Sequence, residues 1–174
     1  MVAKLLNIVA PEAVYFGQKD AQQVAVIKRL VQDLNLPVRV VVCPTVREPD
    51  GLAMSSRNVH LSADERRLAP ALFESLQSID AAVQAGERDP DAALCAGRAV
   101  LERHGIEAEY LALVSPETFE PAHELDRELL AVVAARLGPT RLIDNHLIHP
   151  PLRTPKAAAV ELLGAGGGPD PRRH

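Results

Sequence analysis

The sequence predicts an α/β fold in which part of a parallel sheet is followed by a small α+β domain. Three observations predict it. Short apolar runs alternate with helical periodicity at the start, two capped helices follow, and two apolar runs near the C-terminus flank a turn. At 174 residues and 47% hydrophobic content the chain can bury a sizeable core.

From Val2 to Pro44 the order reads helix, strand, helix, strand, with Pro11 and Pro37 at the junctions. Val24, Ile27, Leu30, Val31 and Leu34 recur at helical spacing, whereas AVYF and VRVVV are β-branched or aromatic runs suited to strands. Strands joined by a helix run parallel, and two parallel strands cannot cover their own faces. They are therefore expected to belong to a larger sheet, with this sequence starting partway through an α/β domain.

Ser62 and Glu65 match a capping box, and Leu68, Leu72, Leu76, Ile79 and Val83 continue one long helix toward Gly86, kinked at Pro70. A second helix starts at Asp89 with Pro90 in its first turn and ends near His104, where Gly105 supplies the stop. EAEYLALV predicts a strand, and the apolar runs around GPT in ELLAVVAARLGPTRLIDNHLI predict a hairpin. The expected boundaries are residues 1–45 for the α/β part and 46–149 for the α+β domain. Residues 150–174, rich in Pro, Gly and Ala, form an expected disordered tail.

Composition excludes several functions. A net charge of −4 and 3% aromatic residues argue against a nucleic-acid partner. No apolar run approaches the roughly 18 residues of a membrane span, so the expected compartment is the cytoplasm. Cys43 and Cys95 lie far apart and are expected to be buried, reduced thiols. His146 and His149 fall on opposite faces of a strand, and no metal site is expected. Glu107 with Glu109, and Asp126 with Glu128, read as solvated edges.

Two stretches carry candidate chemistry. In YFGQKDAQQ a strand ends at Phe16, a glycine turn follows, and a helix begins near Asp20. Ligands of open α/β sheets bind beyond the carboxyl ends of strands, so Gly17 would admit a nucleotide close to the backbone. Lys19 suits phosphate and Asp20 could accept from ribose hydroxyls. The same residues also fit a local role, with Asp20 and Gln23 as a reciprocal helix cap. In DGLAMSSRN a loop gathers Met54, Ser55, Ser56 and Arg57. Hydroxyls and a planar guanidinium together suit phosphate, although a polar surface turn has the same composition.

FGQKDAQQ followed by PTVREPDGLAMSSRN closely resembles the pantothenate synthetases, also called pantoate-beta-alanine ligases, and ARLGPTRLIDN resembles their C-terminal strand hairpin. The resemblance runs from Val2 to Ile148. It implies a nucleotidyltransferase-like, Rossmann-type domain binding ATP and pantoate, closed by a smaller C-terminal domain. The serine-serine-arginine loop would be the counterpart of the KMSKS loop in class I aminoacyl-tRNA synthetases. The implied reaction uses Mg2+-ATP to activate pantoate as pantoyl adenylate, releasing pyrophosphate, after which beta-alanine displaces AMP.

Carried onto this sequence, the family's roles make Lys19, Ser55, Ser56 and Arg57 the phosphate-holding, catalytic residues. Gly17 and Asp20 would face the ribose, Val46 and Met54 would border adenine, and Gln23 would bind pantoate. The resemblance also implies a homodimer formed through the family's N-terminal domain. Gln18 replaces the family's usual glutamate, and Ala21 replaces a frequent aromatic. The family's H-x-G-H motif and early strands do not occur among these residues, so the expected product is the C-terminal part of a ligase. The alternatives are a noncatalytic interaction module that uses its open sheet edge, or another adenylate-forming enzyme.

Overall fold

A computed structural model describes residues 1–151, and the remainder of the expected disordered tail lies outside the described residues. The chain opens with α1 (Val2–Val9), β1 (Ala13–Gly17), α2 (Ala21–Asp33) and β2 (Arg39–Cys43). β1 and β2 pair in parallel, from Ala13 opposite Arg39 to Gly17 opposite Cys43. No other described strand pairs with them. Neither strand contains a buried residue, and Tyr15 is 67% exposed. The sequence reading of helix, strand, helix, strand therefore holds. Of the apolar positions expected on one face of α2, only Val24 and Ile27 are buried, joined by Ala21 at its start.

The second part consists of α3 (Ala63–Leu68), α4 (Ala71–Gln84), α5 (Pro90–Arg103), β3 (Ala108–Val114), β4 (Leu129–Leu137) and β5 (Thr140–Ile148). The Ser62–Glu65 capping box forms in both directions. The long kinked helix expected here is instead two helices. Pro70 lacks the N–H needed to continue the ladder and clashes with the preceding turn, so the chain stops at Ala69 and restarts with Pro70 capping α4.

β3, β4 and β5 form an antiparallel sheet in that order, with the hairpin running from Leu129 opposite Ile148 to Leu137 opposite Thr140. Strand alternation divides the sheet into two faces. Leu129, Ala131, Val133, Ala135 and Leu137 of β4 join Leu142 and Ile148 of β5 in the core with Leu72, Leu76 and Ile79 of α4. Leu130 and Val132 face the other way, against Ala21 of α2 and Phe119. β4 is thus covered on both faces, which is why its sequence reads as a near-continuous apolar run.

Cys95 corrects an expectation: it is exposed, and Cys43 is half-buried. The buried stripe of α5 is Ala93, Leu94, Gly97, Val100 and Leu101, and position 95 falls beside that stripe, not within it. Gly97 allows α4 and α5 to approach closely. A Cβ there would lie 2.7 Å from Ile79 Cδ1 and 3.0 Å from the Ser75 carbonyl oxygen. Gly97→Val is expected to destabilise the fold by about 1–3 kcal/mol through overpacking. Denaturant unfolding would check this, with the midpoint expected to fall.

Candidate active site

The first site stretch leaves β1 at Gly17 and forms a 3-10 turn, Gln18–Asp20, before α2. Gly17 has φ −72° and ψ 133°, ordinary extended values, and a Cβ there would meet nothing within 4 Å. Neither backbone conformation nor packing among the described residues requires glycine at this position. What a missing side chain leaves is open space at the carboxyl end of a strand, where ligands of such sheets bind. Asp20 is the N-terminal cap residue of α2 but makes no side-chain capping bond, so the reciprocal Asp20–Gln23 cap does not form. Asp20 and Gln23 are both exposed.

Asn145 of β5 fastens this turn to the antiparallel sheet. Its Nδ2 donates to the carbonyl oxygens of Gln18 and Lys19 at 2.9 and 3.0 Å, and Gln18 Nε2 donates to its Oδ1 at 3.5 Å. Gln18 thus supplies a donor that a carboxylate would lack. Lys19, Asp20, Gln23 and Asn145 line one cleft of about 220 Å³, whose far side includes Tyr110, Phe119 and Arg141. Phe119 sits at φ +62°, a left-handed conformation costly for a bulky residue.

The second stretch is a short ladder folded back on itself. Arg47 bridges to Ala53, and Met54 N donates to the Val46 carbonyl at 2.9 Å. Val46 and Met54, the expected adenine neighbours, are thereby brought together and remain 65% and 56% exposed. The chain then enters a second 3-10 turn, Ser56–His60. Ser55 Oγ accepts from the Arg57 amide at 3.2 Å, so the hydroxyl oxygen caps this turn while its proton stays available for donation. Ser56 and Arg57 are exposed. Arg57 lines a separate surface with His60, Pro139, Thr140 and Arg141. Of the expected phosphate residues, Lys19 and Arg57 therefore lie on two surfaces that share Arg141, while Ser55 and Ser56 line neither.

Arg47 fixes the base of this loop. Its Nη1 and Nη2 donate to the two Asp144 carboxylate oxygens at 2.6 and 3.0 Å, and further bonds reach the Gly51 and Asn145 carbonyls at 3.0 and 3.1 Å. The guanidinium carbon lies 3.5 Å from the centroid of the Phe73 ring on α4, which adds a cation–π contact. On the outer side, Arg66 of α3 donates to Glu48 and Asp50, each at 2.6 Å, and Asn58 Nδ2 donates to Glu48 and to the Ala53 carbonyl, each at 3.2 Å.

Sequence reasoning did not single out Arg47, Arg141, Asp144, Asn145 or Phe119. The available signal for two of them was a polar pair, Asp-Asn, inside the apolar run of a strand, where each side chain must find a partner. Among the described residues, no group of three or more His, Cys, Asp and Glu could hold a metal. His146 meets Asp80 at 3.1 Å and His149 meets Glu128 at 3.1 Å, on separate partners as strand alternation requires. No helix among the described residues is long and apolar enough to cross a membrane.

The hydrogen bond from Arg66 holds the Asp50 carboxyl below its usual range. A depressed carboxyl pKa contributes stability that is present above the unfolded value, about 4, and lost as pH falls through the folded value. The difference in melting temperature between the wild type and Asp50→Asn is expected to be largest near neutral pH and to narrow toward about pH 3. Asn145→Asp would set carboxylate oxygens against the half-buried carbonyls of Gln18 and Lys19, and is expected to cost about 2 kcal/mol in denaturant unfolding at neutral pH.

The family model for pantoate-beta-alanine ligase matches residues 1–147. A pantothenate synthetase of Roseiflexus castenholzii is 54% identical over 155 residues, covering 86% of this chain and 54% of that relative. The crystal structure of the Thermus thermophilus pantothenate synthetase superposes with a TM-score of 0.82 at 43% identity, over 86% of this chain and 54% of that one. A Francisella tularensis pantoate-beta-alanine ligase, in complex with beta-gamma ATP and beta-alanine, matches at TM-score 0.59 and 32% identity, over 84% of this chain and 47% of that one. The chain thus spans about half the length of the curated relatives it matches.

Proposed function

The chain belongs to the pantoate-beta-alanine ligase family, and from that membership we propose that it supplies part of the ATP site and the closing domain of an enzyme that makes pantothenate. The observation that carries this reading is the attachment of both motif-bearing loops to one strand, through Asp144 and Asn145. That attachment sets Lys19 and Arg57 on two surfaces joined at Arg141. In the proposed division, residues 1–45 belong to the ATP-binding domain and 46–149 to the domain that closes over it.

In the first step a pantoate carboxylate oxygen attacks the α-phosphorus of ATP, the bond to the bridging oxygen breaks, and pyrophosphate leaves. In the second, the beta-alanine amine attacks the acyl carbon, AMP departs with the acyl oxygen's electrons, and the amine loses a proton. Neither step needs a protein nucleophile, so the contribution of this chain is positioning and charge stabilisation. Lys19, Ser55, Ser56 and Arg57 would neutralise the phosphates, Gly17 and Asp20 would face the ribose, and Gln23 would hold pantoate. Adenine would lie against Val46 and Met54, beside the buried Thr45 hydroxyl that has no hydrogen-bond partner among the described residues.

Mg2+ would enter as part of the ATP substrate, and no residue of this chain is assigned to it. The cytoplasm as the compartment and a homodimer as the assembly belong to the same reading, and two unpaired cysteines are in keeping with a reducing compartment. The matches to ligases do not favour the alternative of a noncatalytic interaction module.

Joined to a family N-terminal half, the chain is expected to catalyse pantoate-dependent exchange of pyrophosphate into ATP. Lys19→Ala and Arg57→Ala should each reduce that exchange by about 100-fold or more. Undiminished exchange in both variants would overturn the assignment of the phosphate site.

A further inference from the structure

We propose that Arg141 is a further polyphosphate-binding residue, one that holds the outer phosphates of the nucleotide and the pyrophosphate they become. This rests on the reading of Lys19 and Arg57 given above. Arg141 lines both the cleft that contains Lys19 and the surface that contains Arg57. An anion that reaches from one cation to the other passes it. Strand alternation puts Arg141, Ile143 and Asn145 on one face of β5, and Asn145 is the residue that holds the backbone of Lys19.

The charge arrangement points the same way. Arg136 of β4 lies directly opposite Arg141 in the hairpin register. Like charges in that position destabilise a sheet. A single carboxylate bridges them, with Glu109 Oε1 at 3.0 Å from Arg136 Nε and Oε2 at 2.6 Å from Arg141 Nε. Within this trio one negative charge meets two positive charges, and around it Lys19 and Arg57 add two cations against the Asp20 carboxylate of the same cleft.

The geometry shows how the Arg141 guanidinium is held. Glu109 engages Arg141 through Nε, and the guanidinium carbon lies 5.9 Å from the centroid of the Tyr110 ring. Glu109 holds the Nε side, and the Tyr110 side chain also hydrogen-bonds the guanidinium, so an incoming acceptor would share the fork with Tyr110. An arginine held in this way presents two parallel donors to phosphate oxygens at little cost in side-chain freedom. The side chain of Arg141 is 41% exposed, so a dissolved ligand can reach it.

The test is isothermal titration of inorganic pyrophosphate into the 174-residue chain at fixed salt, for the wild type and for Arg141→Ala, Arg141→Gln, Arg141→Lys, Lys19→Ala and Arg57→Ala. Arg29→Ala serves as the control for general charge, since Arg29 is exposed and paired with Asp33 on α2. Arg141→Ala and Arg141→Gln are expected to weaken binding by about tenfold or more, while Arg141→Lys should recover only part because a point charge lacks the fork. Arg29→Ala should change binding less than about twofold. Wild-type affinity in both Arg141→Ala and Arg141→Gln, with Lys19→Ala and Arg57→Ala impaired, would overturn this inference alone. Equal binding by all variants, or no saturable binding by the wild type, would overturn it together with the reading of Lys19 and Arg57.

Discussion

The placement of both candidate ligand loops depends on satisfying two adjacent polar side chains in the middle of β5. Asp144 and Asn145 are each 5% exposed, in a strand whose neighbours are largely apolar. A buried carboxylate or amide left without partners costs several kcal/mol. Because consecutive strand residues point to opposite faces, the partners must come from two directions. Arg47 arrives on the α4 side and brings the serine-serine-arginine loop, while the carbonyls of Gln18 and Lys19 arrive on the other and bring the glycine turn. One short polar interruption in a strand thus determines where two distant segments sit.

Around this clamp the labour is divided between a rigid base and exposed tips. The antiparallel sheet and the α4–α5 pair form the continuous core, and β4 is buried on both of its faces. The loop from Val46 to Met54 is tied to that base by Arg47 within and Arg66 without. Its continuation through Ser56 and Arg57 stays in solvent. Functional side chains carried on an anchored loop can meet a ligand without any cost to the core. The same edge concentrates positive charge on an acidic chain. Its net charge is −4, yet Lys19, Arg57, Arg136 and Arg141 gather around one edge, and their field acts over only a Debye length.

The parallel pair is the contrasting element. β1 and β2 contain no buried residue, and α1 buries only Leu6 while leaving Leu5, Ile8 and Val9 more than half exposed. Parallel strands ordinarily lie between helices on both faces. The chain covers about half of its relatives' length, and this is the region where the described residues leave the most apolar surface in contact with water.

Much of the local structure was legible in the sequence because its causes are local. Ser62 with Glu65, Pro90 after Asp89, and Gly105 after the last turn of α5 specify helix ends through nearby hydrogen bonds and backbone preferences. The two motifs were legible because their residue types cluster within a few positions. Pro70 showed where a helix must be disturbed, and its missing N–H and its clash with the preceding turn separate α3 from α4 there. The exposure of Cys95 depended on which stripe of α5 turns toward α4. The partners of Asp144 and Asn145 lie about a hundred positions away along the chain, and the opposition of Arg136 to Arg141 follows from hairpin register. No periodicity within one segment encodes such pairings. They exist only once the strands are aligned and burial compels each polar group to find its complement.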